Sequence, residues 1–479
     1  MFNDKKYLSA GKYLGFMCGV PGSIVVNTLV ASFLLIFLTD TIGMNSAIIG
    51  TLMLISKFID GASDIVFGAI MDRTHSKYGK ARSWLMRMII PTVICGVLLF
   101  WMPKATGVGA YAYFFIFYTL YSAVCYTVIF MAIQALPVRM TKNDNERVNL
   151  GVVSVIPQMA IGIVLSFLTM MLVNRFGGGV QGWRMVSLVF AAVEIVMVGI
   201  CIILCKELPE EELNEGTATP VHEKFTLKGF LETLSGNKYI WMMFAYTIFF
   251  AIASTLGNST GTYYVRYVLQ NDSLLGFITL ALLGPMIVAL VLTPFLSKKF
   301  GVYKLASRGY VGGAVFALLM FIFALLRQPL LMFLFMVCRG LCVGPVTGIA
   351  SALNGQIIEY SKVKDGKDVT GSLFGLTTLG GKVGEGLSSA IVGILLAAAG
   401  YDGMAQTQTN SAILMIIVIF AGLPFICYVI EAIALWMLKP AEGIKKIYEE
   451  RGIDPESLGA PAGPGAPGGP SAPDGKKMG

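Results

Sequence analysis

The chain has 479 residues, 56% of them hydrophobic and only 13% charged, with a formal net charge of +8. Soluble globular chains carry about 25% charged residues, so a water-soluble protein is excluded. The apolar surplus runs along nearly the whole length, which excludes a lone anchor or signal segment on a soluble domain. The apolar runs also exceed the roughly 10 residues of a barrel strand and lack its alternation, which excludes a transmembrane β-barrel.

Apolar runs of about 20 residues or more, separated by charged or Gly/Pro/Asn breaks, predict an all-α polytopic membrane protein of twelve spans. They lie at about 13–39, 46–71, 84–103, 107–138, 149–174, 184–205, 239–269, 273–297, 305–326, 329–358, 370–399 and 410–438. An even number of spans puts both termini on one side. Lys and Arg crowd the N-terminus, the C-terminal tail and the alternate loops (73–87, 139–147, 206–238, 298–308 and 362–367), whereas the opposite loops hold only Lys104, Arg175, Arg184, Arg266 and Arg327. The positive-inside rule then predicts cytoplasmic termini in a multi-pass cell-membrane protein embedded in the lipid bilayer. Cations distributed in this way serve insertion, and no nucleic-acid partner is expected.

Residues 206–238 form the longest polar stretch between spans and separate an N-terminal six-helix bundle (1–205) from a C-terminal one (239–440). Residues 441–479 form a tail whose Gly/Pro/Ala-rich end is expected to be disordered and without chemistry. After the second span stands GAIMDRTHSKYGKAR (68–82), and after the eighth PFLSKKFGVYKLASRG (294–309). Both are short and basic and contain a Gly followed by Lys, the mark of an internal repeat. They fall where major-facilitator proteins carry a Gly-x-x-x-Asp-Arg type loop, which implies two six-helix bundles around a central cavity. The eight cysteines all lie in apolar segments and read as small packing residues.

Charge inside a span costs at least about 2.5 kcal/mol at its centre, so each such residue is a functional candidate. Lys57, Asp60 and Asp64 fall in the second span, Glu194 in the sixth, Arg339 in the tenth, Lys382 and Glu385 in the eleventh and Glu431 in the twelfth. In SKFIDGASD (56–64) both carboxylates project from one helical face, with Lys57 three residues before Asp60. Two hard carboxylates beside a cation can hold Na⁺ or exchange it for H⁺; they can equally form an ion-pair network that locks helices. Lys382, in the glycine-rich TTLGGKVGEGLSS (377–389), needs opposing carboxylates, either Asp60 and Asp64 across the halves or Glu385 one turn away on its own helix. Glu194 and Glu431 are expected near span ends or facing water. Arg339 is either a packing ion partner or a contact for an anionic solute.

These residues resemble the glycoside-pentoside-hexuronide:cation symporters, the melibiose-carrier family of the major facilitator superfamily. The likeness runs to about residue 440 and is strongest over 37–84, in YVRYVLQND (264–272) and around Lys382. It implies that Lys57, Asp60 and Asp64 form the cation site, with Asp60 and Asp64 as ligands if the ion is Na⁺. It also implies that Thr127 in CYTVIF (125–130) contributes to that site and that Lys382 links it to the sugar site. The melibiose carriers place acids in helices one and four and a tryptophan one turn on; the matching positions here are approximately Ile24, Phe130 and Gln134. Galactoside chemistry is therefore not expected. Asn27, Tyr126, Phe130, Gln134, Tyr263, Arg339, Asn354 and Thr378 are the candidate solute contacts.

The expected activity is secondary active symport of a glycoside, pentoside or hexuronide-like small molecule with a monovalent cation, Na⁺ or H⁺, by alternating access. An uncoupled facilitator or exchanger of a more apolar conjugate is the alternative. No enzyme activity or cofactor is expected: no Gly-x-Gly-Asp motif accompanies the aspartates, and no Gly-x-x-x-x-Gly-Lys-Ser/Thr loop is present. A monomer is expected.

Overall fold

In lipid every backbone N–H and C=O must be paired within the protein, so each apolar run closes its hydrogen bonds on itself as a helix. The computed structural model describes residues 6–103, 107–209, 212, 238–365, 370–405 and 407–438. Among them, twelve helices are long and apolar enough to cross a membrane. They are α1 (Ala10–Ile42), α2 (Ser46–Asp72), α3 (Lys80–Phe100), α4 (Val108–Met140), α5 (Asp144–Arg175) and α6 (Gly179–Leu204) in the first half. The second half has α7 (Lys238–Val268), α8 (Leu275–Phe300), α9 (Val302–Leu325), α10 (Pro329–Asp365), α11 (Thr370–Ala398) and α12 (Asn410–Met437). Most of the central connection at 206–238, and the tail at 441–479, lie outside the described residues.

Some helices outrun the apolar cores that predicted them. α5 starts at Asp144 and α10 continues to Asp365, because a helix extends wherever its backbone can still pair and its charged side chains can reach water. Arg184, expected in a loop, sits inside α6, where it donates to the Met102 carbonyl at 3.3 Å and lies over the Trp101 ring.

Within the first half α1 packs on α5 and α6, and α3 on α4 and α6; within the second, α7 packs on α11 and α12, and α10 on α8 and α9. The halves meet along α2–α11, α5–α8 and α1–α7. Gly79 before α3 (φ 96°, ψ 164°) and Gly301 before α9 (φ 76°, ψ 152°) adopt similar positive-φ turns. Only glycine takes that conformation without strain.

Several helices depart from regular geometry. α1 contains Pro21, which has no N–H, and breaks at Ile24 (φ −105°, ψ 1°). The break frees the Val26 N–H, which donates to Glu194 Oε2 at 2.9 Å. π-helical turns occur in α1 (Phe37–Ile42), α4 (Leu120–Tyr126), α7 (Tyr264–Val268) and α12 (Val418–Gly422). Such a turn re-aims the side chains around it and is frequent at functional sites.

Candidate functional site

The charged residues of α2 and α11 form a ladder across the two halves. A Cβ on Gly386 would lie 3.0 Å from both Leu54 Cδ1 and Lys57 Cβ, so the missing side chain lets α11 lie directly on α2. On one rung, Lys382 Nζ lies 2.7 Å from Asp60 Oδ1 and 2.7 Å from Asp64 Oδ2, and donates to the Asp60 carbonyl at 3.1 Å. On the next, Lys57 Nζ lies 2.9 Å from Glu385 Oε2 and 3.4 Å from Asp60 Oδ2.

Two hydroxyls from α4 complete the setting of Asp60. Thr127 donates to Oδ1 at 2.6 Å, and Ser122 to Oδ2 at 3.3 Å. Ser122 lies in the π-helical turn of α4 and Thr127 directly follows it. Asp60 is 2% exposed, and a buried carboxylate persists only when its lone pairs are satisfied in this way. The set places the Lys382 ammonium between two carboxylates, hard oxygen donors of the kind that can hold a Na⁺ or a proton.

The structure also places the other intramembrane charges. Glu385 pairs with Lys57 and not with Lys382. Glu194 and Glu431 are fully buried and do not face water, contrary to the expectation of a water-facing or end position. Glu194 caps the broken α1, where a free N–H in lipid makes an acceptor worth its burial, while Glu431 lies against Tyr310, whose hydroxyl is 2.9 Å from that of Tyr246. Arg339 is buried over the Tyr428 ring.

Between the halves lies a cavity of about 230 Å³. α1 contributes Asn27, α4 contributes Tyr118, Tyr121, Ser122 and Tyr126, and α7 contributes Ser254, Thr255, Asn258 and Ser259. Lys57, Glu385 and Ser389 close it from α2 and α11. Ser122 and Lys57 therefore touch both the cavity and Asp60. Of the candidate solute contacts, Asn27 and Tyr126 line this cavity. Phe130 stacks on Tyr126 at 5.9 Å with its outer part exposed, and Gln134 is exposed one turn further on. Thr378 is exposed and spends its hydroxyl on the Phe374 carbonyl. Arg339 and Asn354 are buried in α10, and Tyr263 is buried in the cluster described next. The α7 residues were not singled out from the sequence, although the polar run STLGNST (254–260) inside an apolar span was a readable signal.

At the end of the bundle where α1, α7 and α11 finish, one carboxylate ties the halves. Asp40, with its side chain 1% exposed, accepts from Thr39 at 2.7 Å, from Tyr267 at 2.6 Å and from the Tyr401 hydroxyl, and lies 3.4 Å from the Arg266 guanidinium. The hydroxyls of Thr39 and Tyr263 meet at 3.0 Å. These contacts join α1 to α7 and to the segment that follows α11.

The chain has known relatives in sequence and in fold. The family model for MFS/sugar transport proteins matches residues 15–440. The inner membrane symporter YicJ of Escherichia coli is 28% identical over 431 residues, covering 89% of this chain and 91% of its own length. The isoprimeverose transporter of Lactiplantibacillus pentosus is 27% identical over 424 residues, covering 86% and 85%. Among solved structures, a bacterial homologue of the human lysosomal transporter Spinster shares the fold at a TM-score of 0.64 and 14% identity, covering 93% of this chain and 98% of that one. The chain thus belongs to the MFS/sugar transport protein family, with the major-facilitator fold, and is similar along most of its length to proteins named as symporters.

Proposed function

We propose that the protein is a symporter that draws on an inward Na⁺ or H⁺ gradient to carry a glycoside, pentoside or hexuronide-like solute. The observation that carries this reading is the Lys382 ammonium, 2.7 Å from both Asp60 and Asp64 in the seam between the halves. A monovalent cation competes with Lys382 for those carboxylates. Loading it loosens one cross-half tie and frees Lys382 to reorganise. Linkage then makes solute and cation strengthen each other's binding equally. With cytoplasmic termini, the Asp40 cluster closes the outer side, and rocking about the α2–α11 seam opens it. The names of the relatives, an isoprimeverose transporter among them, favour small glycosides as solutes.

The test is uptake into proteoliposomes. With p-nitrophenyl β-D-xyloside as probe, an imposed inward Na⁺ or H⁺ gradient should drive accumulation above the external concentration. Flux that only equilibrates the probe, whatever gradient is imposed, would make the protein an uncoupled facilitator.

A further inference from the structure

We propose that Glu385 is the carboxylate that accepts the solute's hydroxyls, and that the solute so selected is an uncharged glycoside and not a carboxylate-bearing one. This rests on the transport reading above. Three observations carry it.

The first is position. Among the described residues lining the cavity, Glu385 is the one acid, and the α1 and α4 walls offer only amide, tyrosine and serine groups. A sugar hydroxyl that leaves water needs a strong acceptor, and here that acceptor comes from α11.

The second is availability. Glu385 engages Lys57 through Oε2 at 2.9 Å, yet its side chain is 47% exposed, against 15% for Lys57. Glu385 is among the residues lining the cavity, and a carboxylate with only one oxygen engaged by Lys57 keeps acceptor capacity for a solute there. Asn27 and Asn258 reach the cavity from opposite halves, and the Tyr118 and Tyr126 rings offer faces for the apolar side of a pyranose.

The third is charge. The ladder holds three carboxylates (Asp60, Asp64 and Glu385) and two ammonium groups (Lys57 and Lys382). Its net charge is −1 when all five are ionised. One monovalent cation brings it to zero, and a neutral solute leaves it there. A carboxylated solute would restore an uncompensated negative charge in a low-dielectric seam, where Coulomb terms are large. Lys57 cannot offset it, because its ammonium already serves Glu385 and Asp60.

The experiment measures equilibrium binding to the purified full chain at saturating Na⁺ and at low pH, without gradients, using p-nitrophenyl β-D-xyloside, β-D-glucoside and β-D-glucuronide. The glucoside and glucuronide differ only in the carboxylate at the sixth carbon. The wild type should bind the better neutral probe at least tenfold tighter than the glucuronide. In Glu385→Gln, neutral binding should fall about tenfold or more, the loss expected for one hydrogen bond to a charged group. The glucuronide should hold or gain, so the preference narrows or reverses. A residue that only tied α11 to α2 would lower all three affinities together and keep their ratio. If Glu385→Gln does not fold, Glu385→Asp keeps the charge and should keep the neutral preference with weaker binding. Tighter glucuronide binding by the wild type, or an unchanged ratio in Glu385→Gln, overturns the assignment while leaving coupled transport intact. Failure of all three probes to bind the wild type counts against the glycoside reading itself and this proposal with it.

Discussion

Lys382 holds Asp60 twice, by the carboxylate at 2.7 Å and by the main-chain carbonyl at 3.1 Å, and so fastens the eleventh helix to the second across the middle of the protein. A side-chain pair alone could swing with its rotamers. The added carbonyl contact fixes the ammonium against the helix backbone, so displacing it changes the packing of the two halves as well as a local charge.

Replacing Lys382 by Ala should leave Asp60 and Asp64 facing each other without their ammonium. Breaking a buried pair from one side costs about 3–5 kcal/mol, so folded yield should fall. A second change, Asp60→Asn or Asp64→Asn, should restore part of that yield and of downhill flux. Recovery through Glu385→Gln alone would contradict the pairing.

Thr127→Val should act on the cation and not on the solute. Thr127 donates to Asp60 Oδ1 at 2.6 Å and does not line the cavity. Losing one hydrogen bond to a charged group costs about 1.5–3 kcal/mol. The concentration of Na⁺ or H⁺ needed for half-maximal uptake should rise roughly tenfold or more, with solute affinity at saturating cation held within about twofold.

Asp40→Asn should loosen the closed end. It weakens the ion pair to Arg266 and turns three charge-assisted hydrogen bonds into weaker ones. A cysteine at Leu35, which lines the cavity beneath this cluster, should react several-fold faster with an impermeant maleimide from that side, by the fast-exchange logic of local opening. Equal rates in the two backgrounds would show that the cluster does not hold the side shut.

The twelve spans were legible because lipid leaves the backbone no alternative to helix, and the pairing of Lys382 with Asp60 and Asp64 because so few intramembrane charges could balance one another. The second rung was not. Glu385 lies three residues from Lys382 and looks like its own-helix partner until the register of α2 against α11 is known. Once Lys382 is set on Asp60, antiparallel helices carry Lys57, one turn back on α2, to Glu385, one turn on along α11. Tyr263 and Arg339 illustrate the other gap. Sequence shows that a residue is polar within a span, but depth along the helix decides whether it meets the cavity, the closed end or the interior of one half.

Galactosides should bind poorly, because the α1 and α4 positions that match the acids of the melibiose carriers are Ile24 and Phe130. Titration with melibiose at saturating Na⁺ should give an affinity at least tenfold weaker than the best xyloside or glucoside probe, the minimum expected when one charge-assisted acceptor is missing. Tight, cation-dependent melibiose binding would contradict this.

The central claim is that Asp60 ties cation to solute, and paired transport assays on one proteoliposome preparation test it most directly. Wild type and Asp60→Asn are compared for gradient-driven accumulation of p-nitrophenyl β-D-xyloside and for exchange of the same probe at equal concentrations on both sides. The account predicts accumulation in the wild type only, with exchange surviving in the variant at a reduced rate. Accumulation by Asp60→Asn at the wild-type level would contradict it.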